Sequence, residues 1–419
     1  MQRAEEIAVC PDCGHRIRVD RRYVTWCDKC NWNVDPSPRE DHTPPWRLRL
    51  EHRLAESLYR ELETGSIHRP GWDAARIGAH VLSALILLLP LIALLAGIAL
   101  LAFYRPLWLS GILALVAFAA AFLFRPRATQ LQPDVQLVPR DHAPTLYAVL
   151  DELADTIGTR RVATVVVNTE PNVWYQQIGW RFRPVVGIGL PLWAGLRPQE
   201  RIAVLAHELG HGRHGDARSG WLVGGAWSVL QELQETFTEQ HGDQIRREFG
   251  TEDGTGAGLI SQLVNATVGA LVRGVAWLLE RLALRSSQRA EYLADRKSGE
   301  IAGSEAAAHA LERSLLADVS YRAMERALRF PAGIDPVEAV RREVTEVPAR
   351  EIERQLRVSR LREVRTDATH PPTYLRTRLM RSRPATTARL VLGIDRSRAI
   401  DRELLPAGAK ALAELRAGL

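Results

Sequence analysis

The stretch RPQERIAVLAHELGHGRHGD, residues 197–216, decides the fold. Pro198 suits a first helical turn. Ile202, Leu205 and Leu209 recur at helical spacing, so the segment reads as a helix. On that helix sits His207-Glu208-Leu209-Gly210-His211. Positions i and i+4 share a face, so both imidazoles can reach one zinc ion, with Glu208 beside the open metal position as general base. His214, further along the same helix, reads as a surface histidine.

A catalytic zinc needs a third protein ligand. Downstream comes Gln288-Arg289-Ala290-Glu291-Tyr292-Leu293-Ala294-Asp295, with Glu291 and Asp295 again at i and i+4. Glu291 can complete a His2Glu site from a second helix. Asp295, one turn on, can accept the free N–H of a ligand histidine and fix its tautomer. Alone, this motif would be a solvated helix face. Paired with the upstream motif, it becomes specific.

These motifs carry a resemblance. H-E-L-G-H followed by Gly215-Asp216, the distant E-Y-x-A-D, and a later Thr369-His370-Pro371-Pro372 resemble the M48 family of membrane-associated zinc metallopeptidases. The nearest branch is the HtpX group, because Asp216 falls where that branch has aspartate. The resemblance covers roughly residues 135 to 380. It implies an α+β fold, a mostly helical gluzincin-type peptidase domain with a small sheet. It also implies endopeptidase activity on membrane or misfolded polypeptides. Asp216 would then support the ligand histidines together with Asp295. His370 would approach the active site and help stabilise the oxyanion.

More of the family pattern can be placed. Ala143 to Ile157 reads as a helix, Val162 to Asn168 as a strand, and Val185 to Leu190 as another. Pro171-Asn172-Val173-Trp174-Tyr175 resembles the family's P-N-A-F stretch, so Asn172, Val173, Trp174 and Tyr175 are expected to open the edge strand that binds substrate. Such an edge can take an extended peptide as one more strand. Val173-Trp174 departs from the family's small-aromatic pair.

Working outward toward the N-terminus, Ile77 to Tyr104 and Leu107 to Phe124 are two uncharged runs, taking His80 as neutral. A membrane helix needs about 20 apolar residues, so the first is ample and the second short. Both are apolar on nearly every face, and a transmembrane helical hairpin is expected rather than a buried one. Arg69 and Arg76 precede the first run, Arg125 and Arg127 follow the second, and the turn has only Arg105. The positive-inside rule then puts both termini and the active site on the cytoplasmic side of a bacterial inner membrane. Ala257 to Leu279, interrupted by Arg273, suggests a third span. One crossing there would separate His207 and His211 from Glu291, and its only mate, Gly220 to Leu230, is too short. These segments are expected to lie against the bilayer or the catalytic domain. Thr238 to Thr255, charged and glycine-rich, reads as a loop near the site entrance.

All four cysteines lie in the first thirty residues: Cys10, Cys13, Cys27 and Cys30. Two C-x-x-C pairs satisfy tetrahedral zinc, and the segment resembles a zinc ribbon. Its hairpin is expected to pair Arg16 to Val19 with Tyr23 to Trp26. A stretch this short cannot bury a sufficient core, so the metal must supply stability. No apolar run lies in Met1 to Val9, so reduced thiols are expected rather than two disulfides.

The expected layout is a zinc ribbon at 1–36, a linker with an amphipathic helix (Trp46 to Glu63) at 37–76, the hairpin at 77–126, the peptidase domain at 127–383 and a helical tail at 384–419. Two zinc ions are expected, one catalytic and one structural. Composition sets the outer limits. The chain has 419 residues, 46% of them apolar and 25% charged, which excludes wholesale disorder. A mean hydropathy of −0.14 excludes a polytopic transporter. A net charge of +6 is too weak to argue for nucleic acid by itself. All but three of the basic residues are arginine. The expected partners are a polypeptide substrate and a lipid bilayer; nothing speaks to oligomeric state. Three rival readings remain: a non-catalytic membrane adaptor, a CAAX-type prenyl-protein protease, and nucleic-acid binding through Arg16, Arg18, Arg21 and Arg22 of the ribbon.

Overall fold

The computed structural model describes residues 6–36, 45–65, 74–131, 135–214, 217–236, 256–330, 333–362 and 371–419. Asp216, His370 and the whole of the expected loop Thr238 to Thr255 lie outside them. The chain divides into two units, one of residues 1–69, 131–214 and 287–419, the other of residues 70–130 and 215–286.

The first unit begins with the cysteine ribbon. Strands β1 (Glu6–Val9) and β2 (Arg16–Val19) are antiparallel, with Glu6 opposite Val19 and Val9 opposite Arg16. This corrects the expected pairing with Tyr23 to Trp26, which form no strand. The reason is the first cysteine turn, which reverses the chain itself. Gly14 N–H donates to the Cys10 carbonyl and Cys10 N–H to that of His15, with Gly14 at a φ of 70° that favours glycine. The second cysteine pair repeats the turn, with Asn31 in the same left-handed region donating to Cys27.

After helix α1 (Pro45–Thr64) in this unit comes a four-stranded sheet. The remaining N-terminal helices, α2 (Ala74–Phe103) and α3 (Leu107–Leu123), belong to the second unit. The sheet contains β3 (Gln136–Val138), β4 (Thr164–Asn168), β5 (Val173–Ile178) and β6 (Arg183–Gly189) in the order β3-β4-β6-β5. β4 and β6 run parallel, and β5 is an antiparallel edge strand. Strand β3 was not anticipated; three residues carry too little periodicity to stand out. Leu190, expected to end β6, instead starts helix α5 (Leu190–Gly195), because Pro191 fits a first helical turn and donates nothing to a ladder.

Helix α4 (Pro144–Ile157) ends at Gly158 in the left-handed conformation. Its Tyr147 hydroxyl donates to the Val138 carbonyl and accepts from Val165 N–H, tying β3 to β4. Next comes α6 (Pro198–His214), followed in the second unit by α7 (Ala217–Thr236). The long helix α8 (Gly256–Ala302) is continuous over 47 residues. The chain finishes with α9 (Ser304–Ser314), α10 (Ala317–Arg329), α11 (Pro336–Glu346), α12 (Ala349–Arg362), α13 (Thr373–Ser382) and α14 (Ile394–Gly418). One core joins the sheet, α4, α6 and α14, through residues such as Leu150, Val186, Leu205 and Ile400, all fully buried. Glu403 of α14 accepts from the first free N–H groups of α4, those of Thr145 and Leu146. Helix α1 is amphipathic as expected. Ala55, Leu58, Tyr59 and Leu62 bury one stripe against Tyr292, Leu293, Leu375 and Leu379.

In the second unit, α2 is the one helix among the described residues long and apolar enough to cross a membrane. Only 17% of its most apolar stretch is buried. Helix α3, with 17 residues, is shorter. Gly97 lets the Phe118 ring lie on the α2 backbone, where an added Cβ would come within 2.5 Å of it. The apolar faces of α7 and early α8, expected against the bilayer or the catalytic domain, find a partner in α2. Ala226, Val229 and Leu230, with Val272, Ala276 and Leu279, pack on Ala79 and Ile86 of α2. The spacing i, i+4, i+7 on α8 gives a stripe wide enough for one helix partner, and Arg273 stays exposed beside it.

Candidate active site

Helix α6 is anchored before it is functional. Glu200 accepts from Arg197 N–H at 2.8 Å and closes the first turn. Ile202, Ala203, Leu205, Ala206 and Leu209 are fully buried, which turns His207 and His211 away from the core. Gly210 then meets the backbone of Ala294 on α8, where an added Cβ would lie 3.3 Å from its Cα. This small-on-small contact lets the two motif helices approach closely. Ser298 Oγ donates to the Ala203 carbonyl at 2.7 Å and fixes their register.

The approach brings three groups to one point. His207 Nε2 and His211 Nε2 are 3.3 Å apart. Glu291 Oε2 is 3.4 Å from His207 Nε2, and Oε1 is 3.3 Å from His211 Nε2. Zinc bonds of about 2.0–2.1 Å in tetrahedral directions separate ligand atoms by about 3.3–3.4 Å, so this donor set fits zinc. Behind it, Asp295 Oδ1 lies 3.0 Å from His207 Nδ1.

A residue not singled out in the sequence completes the cluster. Arg376 of α13 donates to both oxygens of Asp295, from Nε at 2.8 Å and Nη2 at 2.7 Å. Burial would raise the Asp295 pKa, but the Arg376 charge outweighs it and holds the carboxyl at about 2. For His207, burial works against the charged form, yet hydrogen bonds with Asp295 and Glu291 push its pKa up to about 10. Burial likewise opposes the Arg376 charge, and Asp295 more than offsets it, raising that pKa further.

The sequence profile of peptidase family M48 matches residues 142–384. The chain belongs to peptidase family M48. It is similar to protease HtpX of Pseudomonas putida strain GB-1, at 33% identity over 136 residues, which is 32% of this chain and 44% of that protein. Protease HtpX of strain W619 is 34% identical over the same extent. The chain thus spans less than half the length of these curated relatives. No solved structure matches it.

In this M48 chain, Glu208 faces the edge strand, accepting from Tyr175 N–H at 3.0 Å. Asn172, Val173, His207, Glu208 and Arg376 are among the residues lining a cleft of about 420 Å³. Tyr175 reaches the site through its backbone; Trp174 turns away and lies over Gly187. The structure therefore brings together His207, Glu208, His211, Glu291, Asp295, Asn172, Val173 and Tyr175. It does not bring the Trp174 side chain into the cleft lining. Arg376 escaped sequence reasoning because one arginine in an arginine-rich chain carries no signal. Its only trace is its place on the helix that follows His370-Pro371-Pro372.

The four cysteines also converge, with all sulfurs within 4.8 Å of one another. Cys10 and Cys30 Sγ are 3.6 Å apart, as are Cys13 and Cys27 Sγ. A disulfide needs about 2.05 Å, whereas thiolates at about 2.3 Å from a shared zinc lie about 3.7 Å apart. The thiols are free and fit a metal.

Proposed function

We propose that this M48 chain is a membrane-anchored zinc endopeptidase. The observation that carries the reading is the ligand-atom triangle of His207, His211 and Glu291, with sides of 3.3–3.4 Å and Asp295 behind His207. These three residues would hold the catalytic metal. Zinc, once bound, supplies a Lewis acid that polarises a peptide carbonyl and brings the pKa of water toward neutrality. Glu208 takes the proton of the attacking water and delivers it to the leaving amine. Asp295 keeps His207 in the tautomer that presents Nε2, and the family resemblance assigns Asp216 a supporting role. The outer edge of β5, opening at Asn172 to Tyr175, takes the substrate backbone as an added strand, with Tyr175 N–H exchanging Glu208 for substrate, so recognition depends little on side chains. His370 is assigned to stabilise the developing oxyanion.

The other assignments follow the same reading. Cys10, Cys13, Cys27 and Cys30 hold a second, structural zinc in a ribbon over residues 1–36. Residues 37–76 link it to an α2–α3 transmembrane hairpin at 77–126, with the peptidase domain at 127–383 and a helical segment at 384–419. The arginine distribution favours both termini and the active site on the cytoplasmic side of a bacterial inner membrane. The substrates are membrane or misfolded polypeptides, and the bilayer is the second partner. The test is Glu208→Gln in the full chain in detergent. Cleavage of unfolded casein should fall by about 10²–10⁴-fold while zinc content stays at the wild-type value. Turnover retained in that variant would sink the mechanism.

A further inference from the structure

The ribbon is fastened to the wall of the substrate cleft. Trp26, next to Cys27, is 1% exposed and packs with Val34 and with Val358 of α12. Arg350, Arg354 and Arg357 project from one face of α12 onto the ribbon. The guanidinium groups of Arg350 and Arg357 lie over the Trp26 ring, at 4.7 and 4.8 Å from its centre. Arg350 also donates to the Trp26 carbonyl. Arg354 donates to the Val34 carbonyl at 2.8 Å, and Arg357 to the Asp28 carbonyl at 2.7 Å and Asn31 Oδ1 at 2.6 Å. The Trp26, Asp28 and Val34 carbonyls that receive these bonds lie outside the ribbon's strands.

The same helix lines the cleft through Gln355, Val358 and Ser359. Val358 therefore touches both the ribbon core and the cleft. Ser359 Oγ accepts from Tyr374 N–H at 3.0 Å, two residues before Arg376. A mechanical chain thus runs from Trp26 through Val358 to the stretch of α12, ending at Ser359, that lines the cleft.

We propose that the cysteine ribbon is a positioning element for substrate binding, and that its metal sets how well α12 walls the cleft. The ribbon's own core is little more than Cys10, Ile17, Cys27 and Trp32. So small a core cannot stay folded without metal. Loss of that metal releases Trp26 and the carbonyls bound by Arg350, Arg354 and Arg357. The candidate metal ligands lie on α6 and α8, not on the ribbon or α12. The effect falls on KM rather than on the chemical step.

This inference rests on the peptidase reading, so its test includes a readout independent of cleavage. The full chain in detergent is compared as wild type, Trp26→Ala, Trp26→Phe and Cys13→Ser, with unfolded casein as probe. Cys13→Ser should lose one zinc. It and Trp26→Ala should raise KM about tenfold with kcat within about twofold, and Trp26→Phe should restore most of the difference. Hydrogen exchange at the Tyr374 amide and along residues 355–359 should quicken about tenfold or more, while β4 and β6 keep wild-type protection. If Trp26→Ala does not fold, Arg357→Gln carries the same expectation at about threefold, since it removes only ribbon contacts and an exposed pair with Glu353. Unchanged KM and unchanged exchange after loss of the ribbon zinc overturn the proposal, as does a fall confined to kcat. A wild type that cleaves nothing refutes the peptidase reading instead, and the exchange measurement still decides this one.

Discussion

Replacing Arg376 by methionine tests the buried cluster behind the metal site. The guanidinium is about 10% exposed and donates to both oxygens of Asp295, itself 6% exposed at the side chain. Methionine keeps the stem's apolar volume and removes the charge. Asp295 is then left with His207 alone, and removing one partner of a buried ion pair costs about 3–5 kcal/mol. In a chain of 419 residues, with an unfolding entropy of about 0.9 kcal/mol/K, that lowers the unfolding midpoint by about 3–6 °C. His207 also loses its fixed orientation, so zinc affinity should fall about 10–100-fold. Thermal unfolding in detergent, with and without chelator, reads the first effect; competition with a chromophoric chelator reads the second. Asp295→Asn removes the carboxylate charge that Arg376 neutralises. The double variant should therefore cost less than the two single changes together, by about 2 kcal/mol. A loss below about 1 kcal/mol with unchanged zinc affinity would refute the claim that Arg376 holds the ligand cluster.

Asp295 should make the metal-free protein acid-sensitive. Its folded pKa is depressed to about 2, below an unfolded value of about 3.9, so its contribution of about 2 kcal/mol is present above pH ~4 and lost as pH falls toward 2. Unfolding of chelated wild type and Asp295→Asn should converge in stability over that window; parallel curves would contradict it. Gly187→Ala places a Cβ 2.1 Å from the Trp174 ring and should cost about 1–3 kcal/mol, with an altered tryptophan emission. A neutral result would mean that the edge strand is not packed as described. Zinc analysis should give two ions per chain and one after His207→Ala; a single zinc unchanged by that variant would leave only the ribbon loaded.

Short-range signals were readable from residues alone. H-E-x-x-H and E-x-x-x-D fixed two helices and the face of each, because helical spacing is a local property. The strands β4 and β6 were placed to within two residues, and α1 and α4 to within one. The ribbon hairpin was misassigned because two flanking segments competed for β2. The decision lay in the turn geometry of Cys10 to Gly14, not in strand propensity. The apolar segments Gly220 to Leu230 and Ala257 to Leu279 fall within α7 and α8, but that α8 runs unbroken through the E-x-x-x-D motif was not read, and their partner α2 is remote in sequence.

What the sequence determined by itself is the set of groups available: two imidazoles and a carboxylate at helical spacing, a glutamate between the histidines, four thiols and a charge-free run long enough for a membrane. Each depends on residue type and near spacing. Only the tertiary structure decided which remote groups serve them. Gly210 on Ala294 sets the closeness of the motif helices, Arg376 takes Asp295, and three arginines of α12 grip the ribbon. These pairings join residues tens to hundreds of positions apart, and no local pattern selects one arginine among so many. Packing selects them, because a buried carboxylate or carbonyl left without a donor costs more than the fold can spare.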